Sequence, residues 1–338
     1  MTGKSDIRWN AIGQKLTFDL NHFRTESTIN SFRPNTPSNR QETQRLSGSV
    51  AYNQTTFGNQ SFSLQATHAI NSYDDTENDS KNNSIRIGYN IPIEETRRLG
   101  AFTEMSRTEF DTLNFNDYDK NTLGTYFESQ LANATLEIEL GYTQTDQEFG
   151  HVDNVSGITG RLRLERGVGT VLPWSISIDR AISDRSSLLE RGTLDEIEFI
   201  PLDNSDTATV FVQTDANFTV SPQFGRNQIT ATISIGEENY ESILRDRRSK
   251  KLSLNVARQV SANTILNVGG QYADEQFLDQ NQKDEVTNAT INLRVESSRR
   301  THLRFGLNYV KRSSNANGTS YEEIIGQIAF SYALVDKF

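Results

Sequence analysis

The sequence predicts an all-β protein, a transmembrane antiparallel up-and-down β-barrel of about 16 strands (roughly 16–18). Three observations lead to this prediction. Apolar residues recur at every second position along most of the 338 residues, and the hydrophobic content is only 34% with a mean hydropathy of −0.62. Short and long connections also alternate along the chain. A wide barrel accounts for all three, because its wall is one strand thick, apolar outside and polar inside.

Alternation with a period of two identifies the strands. In one segment Leu136, Ile138 and Leu140 alternate with Glu137 and Glu139. The same pattern occurs in rows that begin at Leu16, Phe62, Ile85, Trp174, Ile229, Leu252, Leu266, Ala289, Leu303 and Ile328. A helical stripe would need spacings of three and four, and no run of about 18 apolar residues exists, which excludes a transmembrane helix.

Connection lengths set the orientation of the barrel. Short connections are predicted at residues 57–60, 131–133, 167–170, 221–226, 261–263 and 297–300. Long polar connections are predicted at residues 27–43, 74–83, 113–121, 149–154, 187–206, 278–285 and 313–320. In bacterial outer-membrane barrels the short turns are periplasmic and the long loops extracellular. A soluble β-sandwich is the alternative, but strands of about 12–16 residues exceed the usual 5–6.

The two ends of the chain differ. The opening MTGKSDIRWN lacks the apolar core of a signal peptide, so either the sequence is a mature or truncated form or the membrane interpretation is wrong. We predict an N-terminal stub or partial strand over residues 1–13 and the outer-membrane barrel over residues 14–338. The alternating C-terminal segment is predicted to be the closing strand and to pair with the first one, because a barrel in lipid leaves no unsatisfied edge.

Charged residues that alternate with the apolar rows are predicted to face the lumen. These candidates are Asp19, Arg86, Glu137, Glu139, Arg161, Arg163, Glu165, Asp179, Arg294, Glu296 and Arg304. They would either line a water-filled channel as an electrostatic filter or form cross-strand pairs that only stabilise the wall. Both signs occur, so no ion selectivity follows from them.

One long loop is the candidate for a constriction of the lumen. Residues 187–206 include the apolar side chains of Leu188, Leu189, Ile197, Phe199 and Ile200, which would fold inward. The alternative is a loop that packs on its own rim.

Several classes of function are disfavoured. The net charge of −10 argues against a nucleic-acid partner, and no cysteine is present to form disulfides. No G-x-S-x-G, H-E-x-x-H or P-loop motif occurs, so we predict no enzyme, no catalytic residue and no cofactor. The four histidines are His22, His68, His151 and His302. Acidic runs at 74–79 and 116–121 are interpreted as solvated loops rather than metal sites.

The last hundred residues carry a family resemblance. The run KKLSLNVARQVSANTILNVGGQYADEQF is followed by NATINLRVESSRRTHLRFGLNYVKRSSN and EEIIGQIAFSYAL. This repeated order of an alternating strand, a short turn and a second strand of the form L-x-F-G-L-x-Y resembles the outer-membrane β-barrel porin family associated with exopolysaccharide gene clusters. The resemblance implies an outer-membrane channel or porin, used in several clusters to export an exopolysaccharide. A non-conducting scaffold or adhesin barrel and an outer-membrane lipid hydrolase remain the alternatives.

The C-terminal residues resemble the signal that the outer-membrane assembly machinery reads. This signal would comprise Phe330, Tyr332, Leu334 and Phe338, while Asp336 departs from its usual apolar pattern. The expected location is the bacterial outer membrane. The expected partners are outer-membrane lipid and lipopolysaccharide, the assembly machinery, and polysaccharide or periplasmic export partners.

Overall fold

The computed structural model describes most of the chain. The described residues are 3–13, 15–28, 40–74, 79–111, 117–147, 154–167, 172–184, 210–240, 246–298, 301–316 and 319–332. They form β-strands throughout, apart from one short 3₁₀ turn at Phe57–Asn59. Within these ranges no helix is long and apolar enough to cross a membrane.

The described residues form eighteen strands, and one of them, β12, has only two residues. In chain order they are β1 (Gly3–Ala11), β2 (Leu16–Thr28), β3 (Arg40–Thr55), β4 (Ser61–Tyr73), β5 (Ser80–Glu94), β6 (Arg97–Phe110), β7 (Tyr118–Leu131), β8 (Ala134–Gln147), β9 (Ser156–Arg166), β10 (Trp174–Ser183), β11 (Phe211–Val220), β12 (Gln223–Phe224), β13 (Asn227–Tyr240), β14 (Arg247–Ser261), β15 (Thr264–Phe277), β16 (Gln282–Ser298), β17 (Thr301–Ser314) and β18 (Tyr321–Tyr332).

All the strands belong to one antiparallel sheet. Each long strand pairs with the next one along the chain, and β11 pairs directly with β13 across the turn that contains β12. The predicted up-and-down topology is therefore confirmed, and the strand count lies within the predicted range.

Connections at the two ends of the strands differ in length, as the sequence predicts. We call one end the turn end, where β5 and β6 are joined by residues 95–96 and β7 and β8 by residues 132–133. We call the other end the loop end, where residues 111–117 join β6 to β7 and residues 184–210 join β10 to β11. By the rule for bacterial barrels, the turn end is periplasmic and the loop end extracellular.

Apolar side chains cover one face of the sheet and are exposed there. On β5, Ile85 is 51% and Ile91 is 44% exposed, and on β6 Met105 is 59% exposed. The register continues these rows from strand to strand, so that Ile291 on β16 lies opposite Leu307 on β17. Large apolar side chains exposed in continuous rows are unfavourable in water and suit a lipid environment.

The opposite, polar face is concave. Arg86 Nη2 lies 2.9 Å from Glu139 Oε2, although β5 and β8 are separated by two strands. Three strand spacings correspond to about 14 Å along a flat sheet. The ion pair forms only because the sheet curves toward its polar face, which is therefore the interior.

The two edges of the sheet do not pair with each other in the described part of the chain. There, β1 pairs with β2 alone and β18 with β17 alone. Eighteen strands less the two-residue β12 leave seventeen long strands, so β1 and β18 run in the same direction. The expected antiparallel closure between first and last strands is not formed, because an odd number of long strands rules it out. Strand β1 lies within the segment 1–13 and belongs to the same sheet.

Candidate channel interior

All eleven predicted lumen-lining residues lie on strands and on the concave face. Seven of them are in β5–β10, one is in β2, and three are in β16 and β17. In that order they are Arg86, Glu137, Glu139, Arg161, Arg163, Glu165 and Asp179; then Asp19; then Arg294, Glu296 and Arg304.

The concave side chains of β5–β10, here named the charged wall, form a network of ion pairs. Arg86 lies at its centre, with Nη1 3.0 Å from Glu104 Oε2 and Nη2 2.9 Å from Glu139 Oε2. Arg161 Nε lies 2.6 Å from Asp179 Oδ1. Arginine and carboxylate thus alternate from β8 to β10, and Arg86 on β5 links Glu104 on β6 to Glu139 on β8.

A second, looser set of pairs lies nearer the turn end of the charged wall. Arg163 lies 4.0 Å from Glu137 and 3.7 Å from Glu165. Ion pairs that keep contact with water contribute little to stability, typically about 0–1 kcal/mol. These pairs therefore define the charge pattern of the interior more than they hold the wall together. The ion pairs between strands agree with the interpretation that these side chains stabilise the wall, and their role in lining a channel stays a prediction.

Sequence reasoning did not identify Glu104 as a member of the network. It stands between Thr103 and Met105, and with only one strongly apolar neighbour its alternation is weak. The register places it directly opposite Arg86, which is the signal that strand alignment would have supplied.

Two aromatic residues also face the interior of the charged wall. Gly100 on β6 pairs with Tyr126 on β7, and Phe102 pairs with Gly124. A Cβ atom on Gly100 would lie 2.4 Å from the Tyr126 ring, and one on Gly124 would lie 2.6 Å from the Phe102 ring. Both rings therefore lie flat against the wall over glycines, where any larger residue would displace them. The sequence analysis did not predict this arrangement. Its signal is a glycine that lies opposite an aromatic residue on the neighbouring strand.

The concave side chains of β14–β17, here named the amide wall, are mostly neutral. Carboxamides dominate this wall: Asn255, Asn267, Gln271, Asn288, Asn292 and Asn308. Each amide offers both donors and acceptors. The Oδ1 atoms of Asn288 and Asn308 are buried without a hydrogen-bond partner. The middle of this wall therefore presents hydrogen-bonding groups that carry no charge.

Charges in the amide wall lie toward its two ends, with Arg294, Glu296 and Arg304 at the turn end. Arg294 Nη2 lies 3.2 Å from Glu296 Oε1. Arg304 lies opposite Arg294 in the register and has no ion partner within the strands that the structure describes. It is the predicted lumen residue whose charge is least compensated locally.

Concave side chains at the loop end are buried. Phe211 is 1% exposed, and Arg312 and Asp284 form an ion pair at 5% and 0% side-chain exposure. Arg247 lies 2.5 Å from Glu275 and 3.8 Å from Glu238 in the same region. Part of this burial comes from the packing of concave side chains on one another: the ring centroids of Phe211 and Tyr240 lie 4.9 Å apart, and the Arg247 guanidinium carbon lies 5.7 Å from the Phe277 ring centroid. The concave face is accordingly more tightly packed at the loop end.

The predicted constriction residues Leu188, Leu189, Ile197, Phe199 and Ile200 lie outside the described residues, as do Leu334 and Phe338. Phe330 on β18 is 66% exposed on the apolar face, and β18 ends at Tyr332.

The histidines do not form a catalytic arrangement in the strands that are described. His68 Nδ1 lies 2.7 Å from Asn83 Oδ1, and His302 Nδ1 lies 3.9 Å from Glu296 Oε1. Neither histidine has a hydroxyl partner among the described residues, whereas a serine hydrolase needs its serine hydrogen-bonded to the histidine. His151 lies outside the described residues.

Comparison with known proteins agrees with this architecture. Residues 230–331 match the sequence model of the family described as Putative beta-barrel porin 2. This segment spans nearly all of β13–β18 and so includes the amide wall. No curated protein matches the sequence.

Solved structures with the same fold are outer-membrane barrels. The siderophore receptor PiuA from Acinetobacter baumannii superposes with a TM-score of 0.51 at 11% identity, covering 94% of this chain and 71% of that one. The receptor Fiu from E. coli K12 superposes with a TM-score of 0.50 at 10% identity, covering 99% of this chain and 66% of that one. The copper transporter OprC superposes with a TM-score of 0.50 at 10% identity, covering 88% of this chain and 57% of that one.

The similarity to these structures shows the fold, and this chain spans only part of each neighbour's length. Together with the porin-family match and the exposed apolar face, the fold places the strands in the bacterial outer membrane.

Proposed function

We propose that the chain forms a passive channel for polar solutes across the outer membrane, and that its cargo is a hydroxyl-rich polymer such as an exported exopolysaccharide. The observation that carries the proposal is the concave polar face, with the charged wall on β5–β10 and the amide wall on β14–β17. The cargo class rests on the family resemblance and on the chemistry of the two walls.

The walls suit a neutral, hydrated cargo. Paired charges leave little net field, and amides exchange hydrogen bonds with hydroxyl groups as readily as with water. Conduction requires sites that bind weakly and in series, so that a solute enters and also leaves. Rows of amides on neighbouring strands would supply such sites along the path of a polymer.

Conductance in a planar lipid bilayer tests the channel. The folded protein is expected to give stepwise currents in KCl, and the same preparation unfolded by boiling is expected to give none. Folding is checked independently by the heat-dependent gel migration of membrane barrels. Protein that is folded by this criterion and yet electrically silent would contradict the proposal.

The tightly packed loop end favours a second candidate, a non-conducting scaffold or adhesin barrel. Buried interior side chains such as Phe211 and Asp284 are what a closed barrel would show at that end. We keep as a proposal the expectation that residues 187–206 narrow the interior there. Deleting this segment is then expected to raise the conductance, whereas a scaffold stays silent with or without it. The histidine geometry gives no support to a lipid hydrolase.

The expected partners are proposals of the same standing. Outer-membrane lipid and lipopolysaccharide would contact the apolar face, and the assembly machinery would read the C-terminal segment that contains Phe330. Periplasmic export partners would meet the turn end. No nucleic-acid partner is proposed, because the net charge is −10.

A further inference from the structure

The two inward-facing rings of the charged wall differ in what covers them. Phe102 is 4% exposed, and the Arg86 guanidinium carbon lies 3.9 Å from its ring centroid. Tyr126 is only partly buried, and no cation lies over its ring among the described residues. The Tyr126 ring lies against Gly100 on one side, and Tyr126 also lines a cavity on the concave face.

A cavity of about 300 Å³ lies at this place in the wall and includes Tyr126 in its lining. Polar groups surround the ring: Arg86, Glu128, Glu137, Glu139 and Arg161 all line the cavity. An apolar surface with a few converging polar groups is the usual composition of a small-molecule site.

The charges around the cavity restrict the class of ligand. Arg86 is already paired with Glu104 and Glu139, and Arg161 with Asp179. A phosphorylated or carboxylated ligand would find no free cation here and would meet several carboxylates. A purely apolar ligand would leave these carboxylates and guanidinium groups without water or hydrogen bonds, which is costly.

We propose that Tyr126 is the stacking platform of a subsite for a neutral pyranose unit. The C–H face of a sugar ring packs on an aromatic face, and its hydroxyls donate to carboxylates and accept from guanidinium groups. The cavity offers this combination within one wall. The inference rests on the proposed channel function and specifies the substrate class of its interior.

The position of the subsite fits entry from the turn end. Tyr126 lies in the half of β7 that is nearer Leu131, and Gly100 lies near the start of β6. The covered side chains Phe211, Asp284 and Arg312 lie at the opposite end. A sugar polymer that enters from the periplasm would reach Tyr126 before it reached the buried side chains of the loop end.

The test uses maltohexaose, a neutral pyranose oligomer, with the folded full chain in detergent and in planar bilayers. Calorimetry is expected to show binding, and the sugar is expected to interrupt the KCl current. Tyr126→Ala should weaken binding about tenfold or more, while Tyr126→Phe should keep it, because the ring face is retained. The matched control is Tyr142→Ala, which removes an outward tyrosine of the neighbouring strand β8 and should leave binding unchanged. An anionic oligogalacturonate of the same length should bind more weakly than maltohexaose.

The outcomes separate this inference from the channel proposal. A protein that conducts KCl but neither binds maltohexaose nor is blocked by it overturns the subsite and leaves the channel intact. A silent protein that binds maltohexaose through Tyr126 supports the subsite and overturns the channel. If Tyr126→Ala fails to fold, Tyr126→Leu preserves the bulk without an aromatic face. Unchanged binding in a folded variant of either kind contradicts the proposal.

Discussion

The charged wall and the amide wall are parts of one sheet with the same outward pattern and different interiors. Outside, both carry apolar rows, such as Ile85 to Ile91 on β5 and the Ile291–Leu307 pair between β16 and β17. Inside, one carries alternating arginines and carboxylates over flat aromatic rings, and the other carries amides. The apolar rows determine the fold in both regions, whereas the inward positions are free to carry different chemistry.

The porin-family match covers the amide wall and not the charged wall. The amide wall is therefore the part of this interior that the chain has in common with that family's sequence pattern. The charged wall, with Arg86 and Tyr126, lies outside the segment that matches the family.

The largest expected effect is the difference in stability loss between removing a buried ion pair and removing an exposed one. Arg312→Ala would leave Asp284 buried and uncompensated beside the loop end of the amide wall, at a cost of about 3–5 kcal/mol of unfolding free energy. Lys81→Ala in β5 removes a pair whose side chains are 43% and 51% exposed to solvent, and the expected loss of stability is much smaller than for Arg312→Ala. Urea unfolding of the protein reconstituted in lipid measures both. Equal losses in the two variants would show that the loop end is open to water.

Glycine substitutions compare the packing of the two walls. Gly100→Ala places a Cβ 2.4 Å from the Tyr126 ring, so the ring has to leave its position over this residue, and overpacking of this kind costs about 1–3 kcal/mol. Gly306→Ala in the amide wall approaches Asn292 Oδ1 at 2.7 Å, and this amide can rotate away. We expect the unfolding free energy of Gly306→Ala to lie within about 1 kcal/mol of that of the unchanged protein, which is the range of mild substitutions. Urea unfolding again supplies the measurement, and the comparison fails if Gly306→Ala is the more damaging change.

Ion selectivity compares the electrostatics of the walls. Arg86→Ala leaves Glu104 and Glu139 without their shared cation, so the interior becomes more negative and should favour K⁺ over Cl⁻. Asn292→Ala removes a neutral group and should leave selectivity unchanged. The reversal potential under a KCl gradient reports the difference. An unchanged reversal potential in Arg86→Ala would mean that the ions do not pass along the charged wall.

Sequence periodicity was sufficient to predict the fold because each strand repeats one physical rule, an apolar residue outward at every second position. The rule weakens where inward residues are themselves apolar or aromatic. Phe102 and Tyr126 are such residues, and their role depends on glycines in neighbouring strands, which only the register reveals. The burial of Asp284 and Arg312 likewise depends on how side chains pack at the loop end, and no local pattern specifies it.

The first and last strands show a different limit. Ile7 and Trp9 give β1 too few alternating residues for its length to be predicted, although it pairs along all nine residues with β2. One strand more or less changes whether β1 and β18 run in opposite directions. The number of strands therefore decides whether the first and last strands can pair. A local sequence pattern that miscounts the strands by one cannot predict this pairing.

The smallest expected effect is the response of this selectivity to salt. Screening lengths are about 10 Å at 0.1 M salt and about 3 Å at 1 M. The carboxylates left by Arg86→Ala face a wet interior, so their attraction for K⁺ should be clear in dilute KCl and nearly absent in 1 M KCl. Asn292→Ala should match the unchanged protein at both concentrations, because an amide has no charge to screen. A selectivity change in Arg86→Ala that persists in 1 M KCl would indicate a change in the shape of the channel rather than in its field.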